Sequence, residues 1–476
     1  MMSRAVIIGA GLGGVLAAAA MSPIVEEVIV LDRDDLPSGP EQRKGLPQGR
    51  HAHLLMAGGL DAMEYLVPVT SIKKRLLNVG AREISLSSGM VTLSSEGWLR
   101  RWRRTHHTMI TCTRALVDWT IRSAVLEGSS NIEIRKAQAI ELLGSAQRVT
   151  GVRIEAGTEP EDLYADIIID ATGRGSRILN WLTQLGITDI EEKNVDSGLV
   201  NATRIYRTPP GAEDFPLTMV QANPYVNQPG RSAVIVPIEG DRWMVSLAGT
   251  RGGEPPADPD GFLAYTLALP HPIVGQLISG AEPLTDVVLS RSTSNSRRYL
   301  EKARDWPDGL VVLGDALATF NPAYGQGMSV AALGALELRH QLKYADLAET
   351  GLSRRVQRRV AKHTATAWSV AVSQDVLYPG LKGSQRTTAD RIAATYTRRL
   401  TRAATGSMPA AAALWDVTGL KAGPGRVLRP RTMLATLTGS PLPQLTEPPL
   451  TPAEREILRT LDTTHTKEAS SSTPAT

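Results

Sequence analysis

Six residues near the amino terminus, Gly9-Ala10-Gly11-Leu12-Gly13-Gly14, have the composition and spacing of a turn that cradles phosphate. They follow the apolar run Arg4-Ala5-Val6-Ile7-Ile8 and precede Glu27-Val28-Ile29-Val30-Leu31-Asp32. A strand, a glycine turn, a helix and a second strand ending in an acid are the parts of a dinucleotide-binding unit. Gly9 permits the tight turn, Gly11 lets backbone approach a pyrophosphate, and Gly14 lets the helix lie close on the sheet. The anion is expected on the unpaired N–H groups of the helix start, where aligned peptide dipoles amount to roughly half a positive charge. Asp32 then stands where a carboxylate accepts hydrogen bonds from ribose hydroxyls. A secretory leader would account for Arg4, the apolar stretch and Ala17-Ala18-Ala19-Ala20, but it needs no glycines at this spacing and no second strand closed by an acid.

Two further apolar runs end in suggestive residues. Asp166-Ile167-Ile168-Ile169-Asp170 leads into Ala171-Thr172-Gly173, and Leu310-Val311-Val312-Leu313-Gly314 leads into Asp315. Continuous rather than alternating apolar runs predict buried parallel strands, and ligands of such sheets collect at the strands' carboxyl ends. The three motifs are therefore expected to meet around one cofactor. Residues 196–207, 231–238 and 242–250 mix apolar and polar positions with some alternation, which predicts a half-exposed antiparallel sheet in a second, inserted domain that roofs a pocket. Helices are predicted over 114–127 and 328–343. In Arg354-Arg355-Val356-Gln357-Arg358-Arg359 the arginines read as the wet face of an amphipathic helix, because Val356, Val360, Ala367 and Ala371 recur at helical spacing.

Composition narrows the class. The chain has 476 residues, 42% hydrophobic and 21% charged, ordinary proportions for a soluble globular enzyme. A net charge of +4 is too small to argue for nucleic acid. One cysteine, Cys112, allows no internal disulfide and fits a cytoplasmic setting; it reads as a small buried hydrophobe. No apolar run reaches the roughly 18 residues needed to span a bilayer. His51-Ala52-His53 and His106-His107 have no neighbouring cysteine or carboxylate to complete a ligand set, so no metal is expected. Beyond residue 438 the chain turns to Pro, Thr and Ser and is expected to be mostly disordered, with a short helix near Pro452 to Leu461.

Leu313-Gly314-Asp315-Ala316, followed by Asn321-Pro322-Ala323-Tyr324-Gly325-Gln326-Gly327-Met328, resembles the flavin-dependent monooxygenases of the aromatic hydroxylase and squalene epoxidase type. The resemblance implies FAD as cofactor, with Asp315 on its ribityl or ribose part and the Gly327 and Met328 amides at the flavin ring. It also implies contacts from Arg33 beside Asp32, from Arg43, and from Arg114 at a helix start. Asp170-Ala171-Thr172-Gly173 departs from the usual Asp-Gly pair, and no second glycine-rich site exists. Reduction is thus expected from NADPH or NADH directly or through a separate flavin reductase.

Arg43-Lys44-Gly45-Leu46-Pro47-Gln48-Gly49-Arg50-His51 and Gly249-Thr250-Arg251-Gly252-Gly253-Glu254-Pro255-Pro256 bring the chain closer to the flavin epoxidases of polyether antibiotic biosynthesis. This resemblance implies epoxidation of a large apolar polyketide or prenylated alkene, with O2, through a C4a-hydroperoxyflavin. Such oxygen transfer needs no side-chain base, and no catalytic residue is named. A ring hydroxylase of the same fold and an isoprenoid reductase are the alternatives. Trp98-Leu99-Arg100-Arg101-Trp102 lacks the Trp-x-Trp-x-Ile-Pro segment of halogenases. The expected architecture is α/β: a Rossmann-like FAD-binding domain (1–75, 106–190 and 300–350), an inserted, mostly antiparallel substrate domain (76–105 and 191–299), a helical region (351–437) and the tail (438–476).

Overall fold

The apolar runs that precede the three motifs become neighbours in one parallel sheet. In the computed structural model, which describes residues 2–471 except 69, 158 and 292, its strand order is Leu310–Val312, Ile167–Asp170, Arg4–Ile8, Glu27–Asp32 and Ile132–Lys136. Helix Leu12–Met21 packs on this sheet with Leu16, Ala17, Ala20 and Met21 fully buried. Its closeness depends on Gly14: a Cβ there would come within 1.7 Å of the Gly9 carbonyl oxygen. Gly9 itself has φ +100°, a conformation that side chains resist.

The strand Leu310–Val312 would leave an open sheet edge, a site for unwanted pairing. The amphipathic helix Leu352–Asp375 covers it. The buried Gln357 amide accepts from Val312 N (2.8 Å) and donates to Val312 O (3.1 Å), as a neighbouring strand would. Val356, Val360, Ala367 and Ala371 are buried, while Arg355, Arg358 and Arg359 are exposed, as the periodicity predicts.

The second large sheet has seven strands in the order Val288–Ser290, Val200–Arg207, Arg242–Gly249, Arg231–Ile238, Leu217–Val220, Met90–Ser94 and Gly97–Trp98. All pairs are antiparallel except Leu217–Val220 with Met90–Ser94. One face turns Trp243 and Val245 into a cluster with Phe262 of helix Pro259–Leu267 and Ile273 of helix Ile273–Ile278. The other face looks towards helices Thr388–Ala404 and Met408–Thr418. The fold is thus mixed α/β, with a Rossmann-like parallel core, antiparallel sheets and carboxyl-terminal helices.

The segment expected to be disordered from residue 438 packs as far as Leu461 on the cluster that helix Ile273–Ile278 covers. Leu450 is buried, and Leu445, Ile457, Leu458 and Leu461 pack on the same cluster. Arg101 Nη1 binds Glu454 at 2.6 Å, and Gln444 Nε2 donates to Glu96 O. Isolated leucines among prolines can bury themselves only against a partner surface, which sequence periodicity does not reveal. The helix runs Pro452–Ser471, longer than expected, and residues 472–476 lie outside the described chain.

Candidate active site

The carboxyl ends of the parallel strands open into a cavity of about 680 Å³. Gly9, Gly11, Asp32, Arg33, Arg43, Arg114, Asp315, Gly327 and Met328 all line it. Gly14 does not, and acts one layer behind through the helix–strand contact. Asp32 Oδ2 accepts from Ala10 N (2.8 Å) and Arg43 Nη2 (2.8 Å), and Oδ1 accepts from Asp34 N (3.0 Å). The carboxylate thereby holds the glycine turn and Arg43 together, with about one of its four lone-pair sites left for a ribose hydroxyl. Arg43 Nη1 also donates to Ala10 O, whereas its Nε is buried without a partner. Arg33 projects outward, its side chain 70% exposed. Arg114 opens helix Arg114–Glu127, capped by Thr113, and is held by Asp118 at 2.7 Å.

Asp315 sits at the end of the strand Leu310–Val312 and faces the amino end of helix Gly327–Leu342. A Cβ at Gly327 would lie 3.7 Å from Asp315 Oδ1. Burial pushes the Asp315 carboxyl up, against the pull of the Arg114 and Arg174 guanidiniums. The helix start is reached through Gly325 at φ +63°, and the buried Gln326 Oε1 beside it has no partner.

These groups fit FAD. The cavity's backbone N–H groups and arginines are donors of the kind a pyrophosphate takes, and Asp32 and Asp315 are acceptors of the kind ribose and ribityl hydroxyls take. Gly9, Gly11, Arg43, Arg114 and Asp315 line a cavity that the chain's own side chains do not fill.

A second cavity, of about 980 Å³, adjoins the first, and the two share His51, Ala52, Asn201, Asn321, Pro322 and Gly325. It lies between the seven-stranded sheet and the carboxyl-terminal helices, with Leu86, Met109, Met219, Val234 and Val236 among its walls. Only two charged residues, Arg100 and Asp375, line it among the described residues. At the neck His51 Nδ1 meets Thr203 Oγ1 at 2.9 Å, and burial lowers its pKa. His53, behind it, is pushed down to about 3 by burial and then by Arg114. Both rings are therefore neutral near pH 7.

Sequence reasoning missed Asp375. Its buried carboxylate accepts from Asn295 Nδ2 (2.7 Å), Asn321 Nδ2 (3.0 Å), Tyr324 OH (2.7 Å) and Ser197 Oγ (3.4 Å). It thereby pins the loop that leads to Gly327. Burial raises its pKa, and those hydrogen bonds oppose the rise. The available signal was position: Asp375 continues the apolar stripe of Ala367 and Ala371, where an acid needs partners.

The histidine pair 106–107 also differs from its sequence reading, because the fold supplies a carboxylate from far along the chain. Asp416 Oδ1 lies 2.7 Å from His106 Nε2 and 2.8 Å from His107 Nε2, while Arg426 binds Oδ2 at 2.6 Å. Burial alone would raise the Asp416 pKa, but the hydrogen bonds from the two histidines and Arg426 lower it. With a guanidinium already on the carboxylate, the cluster works as a clamp between the 99–107 segment and helix Met408–Thr418. Cys112 is buried, and burial raises its pKa, which fits an inert thiol.

No family model matches the chain. "Protein Rv3254" of Mycobacterium tuberculosis is 29% identical over 387 residues, covering 79% of this chain and 80% of that protein. The kynurenine 3-monooxygenase of Salinispora tropica is 25% identical over 340 residues, covering 69% and 70%. Among solved structures, the flavin-dependent brominase Bmp2 superposes with a TM-score of 0.63 at 13% identity, over 92% of this chain and 98% of that one. PqsL of Pseudomonas aeruginosa, described as "a probable FAD-dependent monooxygenase", superposes with a TM-score of 0.56 over 79% of this chain and 93% of that one, and the myxobacterial chondrochloren halogenase CndH with 0.59 over 88% and 97%, each at 16% identity. The chain has the FAD-binding monooxygenase fold. The residues that line its smaller cavity suit FAD as cofactor.

Proposed function

We propose that the protein epoxidises one or more alkenes of a large apolar polyketide or prenylated substrate in bacterial secondary metabolism. The observation that carries this reading is the neck. A dinucleotide cavity meets a larger, mostly apolar cavity through six residues, none of them ionised near pH 7. Reduced FAD, when bound, supplies an electrophilic oxygen atom derived from O2. The chain's tasks are then to exclude water and hold one alkene face at the neck, which positioning and desolvation accomplish without a side-chain base.

In this reading Gly9, Gly11, Arg43, Arg114 and the Gly327 and Met328 amides bind the anionic parts of FAD, and Asp32 and Asp315 its hydroxyls, with Arg33 at the rim. Gly14 supports the turn from behind. Residues 1–75, 106–190 and 300–350 form the FAD-binding domain, and 76–105 with 191–299 the substrate domain. NADPH or NADH reduces the flavin directly or through a separate reductase. The test is oxygen-18 incorporation from O2 into a panel of polyenes with an added flavin reductase. One labelled oxygen that hydrolyses to a diol supports epoxidation. A second reading, ring hydroxylation, is favoured by the kynurenine 3-monooxygenase relative, and a labelled phenol from an aromatic substrate would establish it instead.

A further inference from the structure

Helix Pro430–Thr438 is inside out. Its buried positions are Thr432 and Thr436, whereas Met433, Leu434 and Leu437 face solvent, the two leucines 63% and 69% exposed. The threonines are satisfied inward: Thr432 Oγ1 accepts from Arg426 Nη1 at 2.8 Å, and Thr436 Oγ1 donates to Thr432 O. The neighbouring helix Thr388–Ala404 packs against it, with Tyr396 OH donating to Val427 O, and adds Ile392 at 68% exposure. Leu428, two residues before this helix, and Leu442, four residues after it, are exposed as well. Six of the thirteen exposed large hydrophobic residues of the described chain thus fall between 392 and 442. A soluble monomer leaves such a patch bare only where something covers it.

The same region is strongly basic. From Lys382 to Arg431 there are ten basic residues and two acidic ones, Asp390 and Asp416, although the whole chain is only +4. Arg398 and Arg402 reach Glu96, and Arg426 reaches Asp416. Among the described residues, the exposed Arg386, Arg391, Arg399, Arg429 and Arg431 have no acidic partner within salt-bridge distance. Arg391 adjoins Ile392, and Arg429 and Arg431 flank the start of the inverted helix.

The patch is also continuous with the larger cavity, because Ile392 and Leu428 belong to both the exposed set and the cavity lining. We propose that this face docks on an anionic phospholipid surface and that the apolar substrate enters the cavity from that side. The inference deepens the proposed function by naming the route of an apolar substrate. Aliphatic side chains enter the acyl boundary while arginines meet lipid phosphates, and the two contributions add. Docking is superficial, since no described helix is long and apolar enough to cross a membrane. A second copy of the chain is a poor occupant, because a two-fold contact would bring like-charged arginines together. The exposed set is aliphatic throughout, without the Tyr and Trp anchors of protein interfaces.

The test is co-flotation of the FAD-loaded full chain with vesicles of phosphatidylcholine alone or mixed with phosphatidylglycerol, without substrate. Binding is expected to the mixed vesicles, to weaken with added salt, and to fall about tenfold for each of Leu434→Ser and Leu437→Ser, with flavin content unchanged. Absence of flotation with the mixed vesicles, or flotation indifferent to both substitutions, would overturn the proposal. So would dimerisation in solution that Leu434→Ser abolishes, or binding to polyglutamate in place of vesicles. Turnover of detergent-dispersed polyene by a chain that does not float would sink the docking surface alone. A chain that floats but yields no epoxide would sink the epoxidase reading alone.

Discussion

The two cavities that meet at His51 and Asn321 are built in opposite ways. The smaller is made of backbone: glycine turns, a helix start and strand ends supply its donors, and a few acids and arginines fix them. The larger is made of side chains that are scattered in sequence and brought together by a sheet face and helices from the end of the chain. Backbone-made sites demand particular residues at particular spacings. Side-chain-made cavities demand only volume and apolarity, which many sequences provide.

The sharpest break in this contrast comes from Gly14→Val. A branched side chain 1.7 Å from the Gly9 carbonyl forces helix and strand apart, so a loss of about 3 kcal/mol or more and a colourless protein are expected in denaturant titration and flavin absorbance. Retained flavin would show that the turn is not the cofactor's seat. Asp315→Ala comes next, with FAD held about tenfold or more weakly and circular dichroism unchanged. Undiminished occupancy would remove Asp315 from the site. Val234→Trp probes the other side: it fills the apolar cavity, so polyene turnover should drop about tenfold while flavin content stays. If flavin is lost as well, the two cavities are not separable.

A smaller effect concerns pH. The folded chain holds His53 neutral down to about pH 3, while the unfolded chain takes up a proton near the ordinary imidazole value of 6.5. Between those values the unfolded state binds more protons, so stability falls as pH drops through that window. In the FAD-free protein His53→Gln should recover about 1–2 kcal/mol of the loss at about pH 5, and an unchanged acid profile would count against the buried neutral ring. Smallest of all, deletion beyond residue 462 should shift stability and turnover by no more than about 0.5 kcal/mol equivalent. A large loss would extend the docked segment past Leu461.

The contrast also explains what could be read in advance. Gly9, Gly14 and Asp32 were legible because only glycine suits the tight turn and the helix lying on a strand, and only a carboxylate suits the strand-end acceptor. The helix through Val356 and Val360 was legible because its buried face repeats. Asp375 was not, since its four donors come from residues 197, 295, 321 and 324 and no local pattern announces them. Asp416 escaped for the same reason, and so did the docked tail, whose Leu445 and Leu450 mean nothing until the cluster that receives them exists.

The Gln357 amide carries one consequence for synthesis on the ribosome. The parallel sheet can pair its strands once residue 312 has emerged, yet its last edge stays bare until the segment bearing Gln357 follows. A nascent chain stalled in that interval exposes a ready template for intermolecular pairing, so the cell's protection against aggregation is needed most during the span of translation just before that glutamine appears.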